Sequence, residues 1–289
     1  MSLLQLYGSL QLGLIQSFVV LGVYLSFRTL QFSDLTIDGT FPLGAAVVSV
    51  LIINGINPIW ATIMAIIMGG IFGWITSFLA TSLKIFSLLS GILTMSALYS
   101  INLRIMGQKA NISLLGEKTI FTMGSFNDVA ILILLVVTIS FLIFIFLKSE
   151  LGLAVRTVGH NPLMAKAHGV NIKKAISIGL ILSNASVALS GALYAQMFGF
   201  ADITLGIGTI IFALASLILG EAIIPQKKIF YCIISCILGP ILYRILISFA
   251  LNLDQFGLHA SDLNIITAIL VIVAMILSQK QKQKHKGIL

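Results

Sequence analysis

Residues 32–37 read Phe-Ser-Asp-Leu-Thr-Ile, and residues 200–205 read Phe-Ala-Asp-Ile-Thr-Leu. Each copy follows a long apolar run, and each is soon followed by Gly-Thr (Gly39-Thr40, Gly208-Thr209) and a further apolar stretch. A polar turn between apolar runs interrupts what is otherwise helical sequence. Asp34, Thr36 and Asp38, with Asp202 and Thr204, carry side-chain oxygens able to cap the free N–H groups of a helix beginning there. Irregular backbone at membrane depth is tolerated only when buried in protein or lining a cavity. The pair therefore reads as an internal repeat with broken helices. Two readings of the turns stand open: they border a passage, or they are ordinary interfacial caps, with the second favoured for Asp202.

Composition explains why the flanking runs belong in lipid. Of 289 residues, 58% are apolar and 9% charged, and the mean hydropathy is +1.11. A soluble domain carries roughly a quarter of its residues charged, so most of this surface must face something other than water. A crossing helix needs about 20 apolar residues. Runs of that kind lie near 6–27, 58–80, 129–147, 175–197, 208–224 and 229–250, with shorter or weaker ones near 41–53, 85–101 and 264–277. The expected fold is all-α, a polytopic membrane bundle of eight or nine transmembrane helices with broken or half helices, forming a single domain over 1–289. No basic residue precedes the first run, so 6–27 is expected to stay as a helix rather than be cleaved.

The charge distribution orients the bundle. The net charge of +8 is spread between apolar runs and into the tail, a pattern of membrane anchoring and not of nucleic-acid binding. Lys148, Arg156, Lys166, Lys173 and Lys174 lie in the loop 148–174 against Glu150 alone. Lys227 and Lys228 lie in the connection 225–228, and Lys280, Lys282, Lys284 and Lys286 in the tail 278–289. All three are expected on the cytoplasmic side. If all nine runs cross, the N-terminus falls outside. The first repeat copy then follows an outward-to-inward helix and the second an inward-to-outward one. Such pseudo-inverted repeats place a pathway near the midplane of many transporters.

Residues 159–169 read Gly-His-Asn-Pro-Leu-Met-Ala-Lys-Ala-His-Gly. Asn161 suits an N-cap, Pro162 the first helical position, and Gly169 the left-handed position past the end. A helix of about two turns outside the membrane is marginal alone, so something must hold it. Leu163, Met164 and Ala167 form a small apolar face for docking, either into a partner's groove or against the membrane surface or the protein's own helices.

From Ser149 to Gly191 the sequence Ser-Glu-Leu-Gly-Leu-Ala-Val-Arg-Thr-Val-Gly-His-Asn-Pro…Ala-His-Gly-Val-Asn…Ser-Asn-Ala…Leu-Ser-Gly resembles permeases of ABC importers, in the branched-chain amino acid and ribose permease superfamily. The resemblance covers essentially the whole chain. The stretch Asp34 to Ala46, with Tyr243-Arg244 and Ala260-Ser-Asp-Leu263, looks most like permeases for tryptophan or tyrosine. It implies that 159–169 contains a coupling helix seated in a cytoplasmic ATPase, with Gly159, Asn161, Pro162, Ala165, Ala167 and Gly169 at that contact. It also implies a second permease copy, two ABC ATPase subunits that bind ATP and Mg, an extracytoplasmic solute-binding protein, and the bacterial cytoplasmic membrane. No cofactor is expected on this chain.

Asp34, Thr36, Asp38 and Arg244 are the candidate pathway residues. Arg244 lies inside the run 229–250, where a charge costs a few kcal/mol or more. It is expected either to attract a solute carboxylate or to pair with Asp254 or Asp262. Cys232 and Cys236 are read as packed thiols, since no further ligand lies near them in sequence. His160 and His168 show no metal spacing, and no nucleophile–base set is present. Gly116-Glu-Lys-Thr119 lacks the earlier glycine of a phosphate loop. A secondary transporter driven by an ion gradient is the alternative, though few intramembrane acids are available for an ion relay.

Overall fold

The computed structural model describes residues 3–123, 127–224, 226 and 228–251. The run 264–277, Asp254, Asp262, Ala260–Leu263, Lys227 and the basic tail lie outside the described residues. Among the described residues ten α-helices follow in order: α1 Leu3–Val23, α2 Ile37–Ile53, α3 Pro58–Thr81, α4 Ser87–Ile105, α5 Asp128–Lys148, α6 Glu150–His160, α7 Pro162–Ala167, α8 Ile172–Phe198, α9 Thr209–Ile223 and α10 Ile229–Leu251. Among the described residues, seven helical stretches are long and apolar enough to cross a membrane. The shorter α2 is almost wholly buried.

α1 does not end at Val23. Tyr24–Thr29 continue it as one π-helical turn, a wide and locally weak geometry that often marks functional positions. The chain then passes through 30–36 without helix and starts α2 at Ile37, four residues before the apolar run does. Asp38 thus lies within the first helical turn rather than ahead of it. That position suits a carboxylate because the N-terminal end of a helix carries partial positive charge.

Small residues set the packing of the central layer. Gly44, Gly69, Gly73 and Gly191 lie so close to neighbouring helices that an added Cβ would approach a backbone oxygen within 2.0 to 2.6 Å or less, at Ala188, Asn184, Leu180 and Phe41 respectively. Close backbone approach of this type drives helix association where no hydrophobic effect separates helix from lipid. α8 therefore sits between α2 and α3, while α1 lies antiparallel to α8. Ser190 Oγ donates to the Ile15 carbonyl at 2.7 Å, and Ser183 Oγ donates to the Gly22 carbonyl at 2.8 Å.

The expected fold needs two small amendments, the first to its being purely α. Asn111–Ser113 pairs antiparallel with Phe200–Asp202, tying the α4–α5 loop to the segment after α8. Three residues on each side carry too little sequence signal to be foreseen. A second amendment is α6, an eleven-residue helix capped by Ser149, whose side chain accepts from Gly152 N–H. The basic loop is thus a helix pair and not one short helix.

Candidate functional site: a broken-helix centre and an exposed helical elbow

At the centre, Asp34 is wholly buried. One carboxylate oxygen accepts from the Thr36 N–H at 2.9 Å. The other accepts from Asn184 Nδ2 at 2.7 Å. The Asn184 carbonyl oxygen in turn lies 2.8 Å from the Thr40 hydroxyl, and the Thr36 and Thr76 hydroxyls share a bond of 2.8 Å. A buried charge without such partners is prohibitively costly, so this network is what lets an irregular turn persist among apolar helices. Asp34 and Thr36 are therefore brought together as the sequence implied. Asn184, Thr40 and Thr76 complete the group and were missed. Their available signal was a polar letter among apolar ones in α8, α2 and α3.

Asp38 does something that sequence proximity could not show. It was expected to cap its own helix, but its Oδ1 accepts from the Ile210 N–H in the first turn of α9, at 2.9 Å. Gly208, at φ +80°, supplies no side-chain cap there, so the cap comes from α2. Pro42, four residues after Asp38, has no N–H to give the Asp38 carbonyl. Gly206 closes on that carbonyl, where a Cβ would lie only 1.8 Å from the oxygen. Two half-helices thus meet by their N-terminal ends.

The similar stretch 200–205 makes the same local turn in a different place. Asp202 Oδ1 accepts from the Thr204 N–H at 2.7 Å and from its hydroxyl at 2.6 Å. Oδ2 accepts from Asn111 Nδ2 at 3.1 Å. Slight desolvation raises the Asp202 carboxyl, but the Thr204 and Asn111 bonds outweigh it and hold the group below the usual aspartate range. This turn is a partly exposed loop anchor.

Arg244 lies apart from the Asp34 group. Its Nε donates to Gln16 Oε1 at 2.6 Å, and its guanidinium sits 5.0 Å from the centre of the Phe212 ring. The sequence pointed to Asp254, Asp262 or a solute; both aspartates lie outside the described residues, and Gln16 and Phe212 were not foreseen. At the basic end, Arg28 Nε donates to Glu221 Oε1 at 2.7 Å, and Nη2 contacts the second oxygen. This ion pair joins the π-helical turn to the end of α9 and was likewise unforeseen.

The elbow of α6 and α7 is held by its caps. Asn161 Oδ1 accepts from the Met164 N–H at 3.0 Å, Pro162 opens α7, and Gly169 takes φ +80° while bonding back to the Lys166 carbonyl. Leu163 is 81% and Met164 60% exposed, and Asn161, Pro162, Ala167 and Gly169 are exposed as well. Gly159 and Ala165 are corrections. Both are buried, so neither presents a surface to another subunit. Gly159 lies against the Thr29 carbonyl, where a Cβ would come within 2.0 Å. Ala165 packs with Leu30, Phe32, Val155 and Val158. The elbow is thereby fastened to the π-helical turn after α1 and the residues that follow it. Among the described residues, no group of three His, Cys, Asp or Glu side chains is arranged to hold a metal.

The family described as "Branched-chain amino acid transport system / permease component" matches residues 6–278. A tyrosine transport system permease protein of Clostridioides difficile is 41% identical over 260 residues, 90% of this chain and 86% of that protein. An uncharacterized protein of Rickettsia prowazekii is 36% identical over 279 residues, 93% of this chain and 96% of that one. A guanosine ABC transporter permease protein of Bacillus subtilis is 32% identical over 116 residues, 39% of this chain and 36% of its own length. Among solved structures, "PsaBC from Streptococcus pneumoniae in complex with Fab" superposes with a TM-score of 0.55 at 15% identity, covering 93% of this chain and 89% of that one. That likeness speaks to fold alone.

Proposed function

Because the chain belongs to the family of branched-chain amino acid transport system permeases, and so is a multi-pass protein of the cytoplasmic membrane, we propose that it is the membrane-spanning subunit of an ABC importer for an amino acid, with aromatic amino acids the first class to test. Two copies form the passage, two separate ATPase subunits bind ATP and Mg and supply the work, and an external binding protein delivers the solute. The aromatic assignment draws on the C. difficile relative, whose name specifies tyrosine.

The observation that carries this reading is the α6–α7 elbow. It turns Leu163 and Met164 outward on the basic face while its inner side is locked to Thr29 and Leu30. An exposed apolar pair on a capped, rigid element is a docking surface. The inner side gives it a mechanical outlet. A push on α7 reaches the end of α1 through Gly159. It then passes to the Asp34 turn and α2, and through Asp38 to α9. Coupling of this type needs a discrete element biased by both sites, and the two half-helices joined at Asp38 are that element.

An inverted repeat with 168 positions between counterparts (Asp34 and Asp202) supports the same reading. Ile15 and Gly22 correspond to Ser183 and Ser190, so the two hydroxyl bonds between α1 and α8 exchange into each other when the copies are swapped. The pairing of α1 with α8, α2 with α9, and α3 with α10 follows from the same offset.

The test is uptake in proteoliposomes containing the permease, its cognate ATPase and binding protein, across tyrosine, tryptophan, phenylalanine, leucine and guanosine. ATP-dependent uptake of an aromatic amino acid is expected. Leu163→Asp is expected to abolish uptake and ATPase retention with little change in thermal stability. Accumulation by the permease alone under an ion gradient would replace this reading with that of a secondary transporter.

A further inference from the structure

We propose that a cleft between the basic ends of α3 and α8 binds the phosphate-bearing headgroup of an anionic phospholipid. The cleft measures about 390 Å³ and is lined by Trp74, Phe78, Thr81, Ser82, Lys173 and Lys174, with Ser177 beside them. No carboxylate lines it, and among the described residues the one ion pair is Arg28–Glu221, so both ammonium groups are left for an outside anion. Basic pockets between membrane helices at the cytoplasmic surface are suited to anionic headgroups.

The flanks of the cleft select a lipid over a free anion. Trp74 is 51% and Phe78 44% exposed, and they continue an outward-facing apolar stripe through Ile67 and Ile71. Their rings lie 5.8 Å apart. Along α3, Trp60 and Phe78 are separated by about 27 Å at 1.5 Å per residue, close to the roughly 30 Å of a hydrocarbon core. The cleft therefore opens where aromatic rings mark the lipid–water boundary. Acyl chains lie on the stripe while the phosphate reaches Lys173 and Lys174.

The opposite end of the bundle supplies a control within the molecule. At the 168-residue offset, Lys173 and Lys174 correspond to Gln5 and Leu6, and Trp74 and Phe78 to Leu242 and Leu246. Equivalent helix packing there does without either the charges or the rings. Their presence at the basic end is accordingly not required to join the two helices.

Native mass spectrometry of the purified protein, titrated with dioleoyl-phosphatidylglycerol or dioleoyl-phosphatidylcholine, tests the site. One phosphatidylglycerol per protomer is expected to be retained in preference to phosphatidylcholine. The K173Q/K174Q pair is expected to weaken it about tenfold or more, K173R/K174R to keep it, and W74A to weaken it less. Inorganic phosphate should not compete at millimolar concentration. The proposal is overturned by equal retention of the two lipids, by full retention in K173Q/K174Q, or by an equal loss in K148Q/K228Q, which removes the same charge elsewhere on this face. Displacement of lipid by free phosphate, or cross-linking of residue 74 to a second permease or an ATPase instead of lipid, also overturns it.

Discussion

The Asp34 and Asp202 turns are built from nearly the same six letters, and in both the carboxylate accepts from the N–H two residues on. Their surroundings differ completely. Asp34 has no exposed surface and is tied to Asn184 deep in α8. Asp202 sits at a loop and is tied to Asn111 of a short strand. The counterparts of Asn184 and Thr76 at the same offset are Gln16 and Arg244, which bond each other. In the first copy the buried charge is an acid with neutral partners. In the second, the acid has left the core, and an arginine stands at the position matching Thr76. A turn motif specifies a backbone shape, and burial then decides how much energy that shape controls.

The largest effect is expected where the buried copy loses its partner. Asn184→Leu leaves a wholly buried carboxylate without its side-chain donor, and should cost about 3 kcal/mol or more, read as a fall in thermal midpoint of the detergent-purified protein. Asn111→Leu, its counterpart at the exposed turn, should cost about 1 kcal/mol or less. Equal costs would break the contrast between the two turns.

A smaller effect is expected at the junction of the half-helices. Gly206→Ala drives a methyl into the Asp38 carbonyl and should cost about 1–3 kcal/mol. Gly208→Ala meets open space but a left-handed backbone, for about 1 kcal/mol. Transport should suffer more from the first, since it separates α2 from α9. Asp38→Ala removes the cap of α9, at about 1–2 kcal/mol, whereas Asp202→Ala should stay near the bottom of that range. Chemical denaturation of the two variants side by side reads the difference directly.

The smallest effect belongs to the Arg28–Glu221 pair. Its arginine is 42% exposed, and a double-mutant cycle with Arg28→Gln and Glu221→Gln should yield a coupling of about 1 kcal/mol or less. A several-fold change in uptake with so little change in stability would mark the pair as part of the moving contact between α1 and α9.

Much of this was legible in the residues. Asn161, Pro162 and Gly169 announced α7 because capping chemistry is local, and the structure shows each in the expected role. The apolar runs announced the helices because lipid demands length and hydropathy. Asp34 and Thr36 announced an irregular capped turn between apolar runs, which the sequence left open as a passage border or an interfacial cap. What stayed hidden were bonds between residues far apart in the chain. Asn184 reaches back 150 positions to Asp34, and Asp38 reaches forward 172 to Ile210.

The sequence by itself determined that the chain lives in a membrane, where its long helices lie, which face is basic, and that a short capped helix stands on that face. Each of these follows from short-range chemistry: the hydropathy of a segment, the charge of a loop, the caps of a turn. Only the tertiary structure decided that Gly159 and Ala165 hold the elbow to its own chain, that Asp38 caps a helix not its own, and that one of two twin aspartates is buried while the other meets solvent. Those outcomes depend on which backbones approach one another, and close approach is set jointly by small residues on several helices, a condition that no single segment carries.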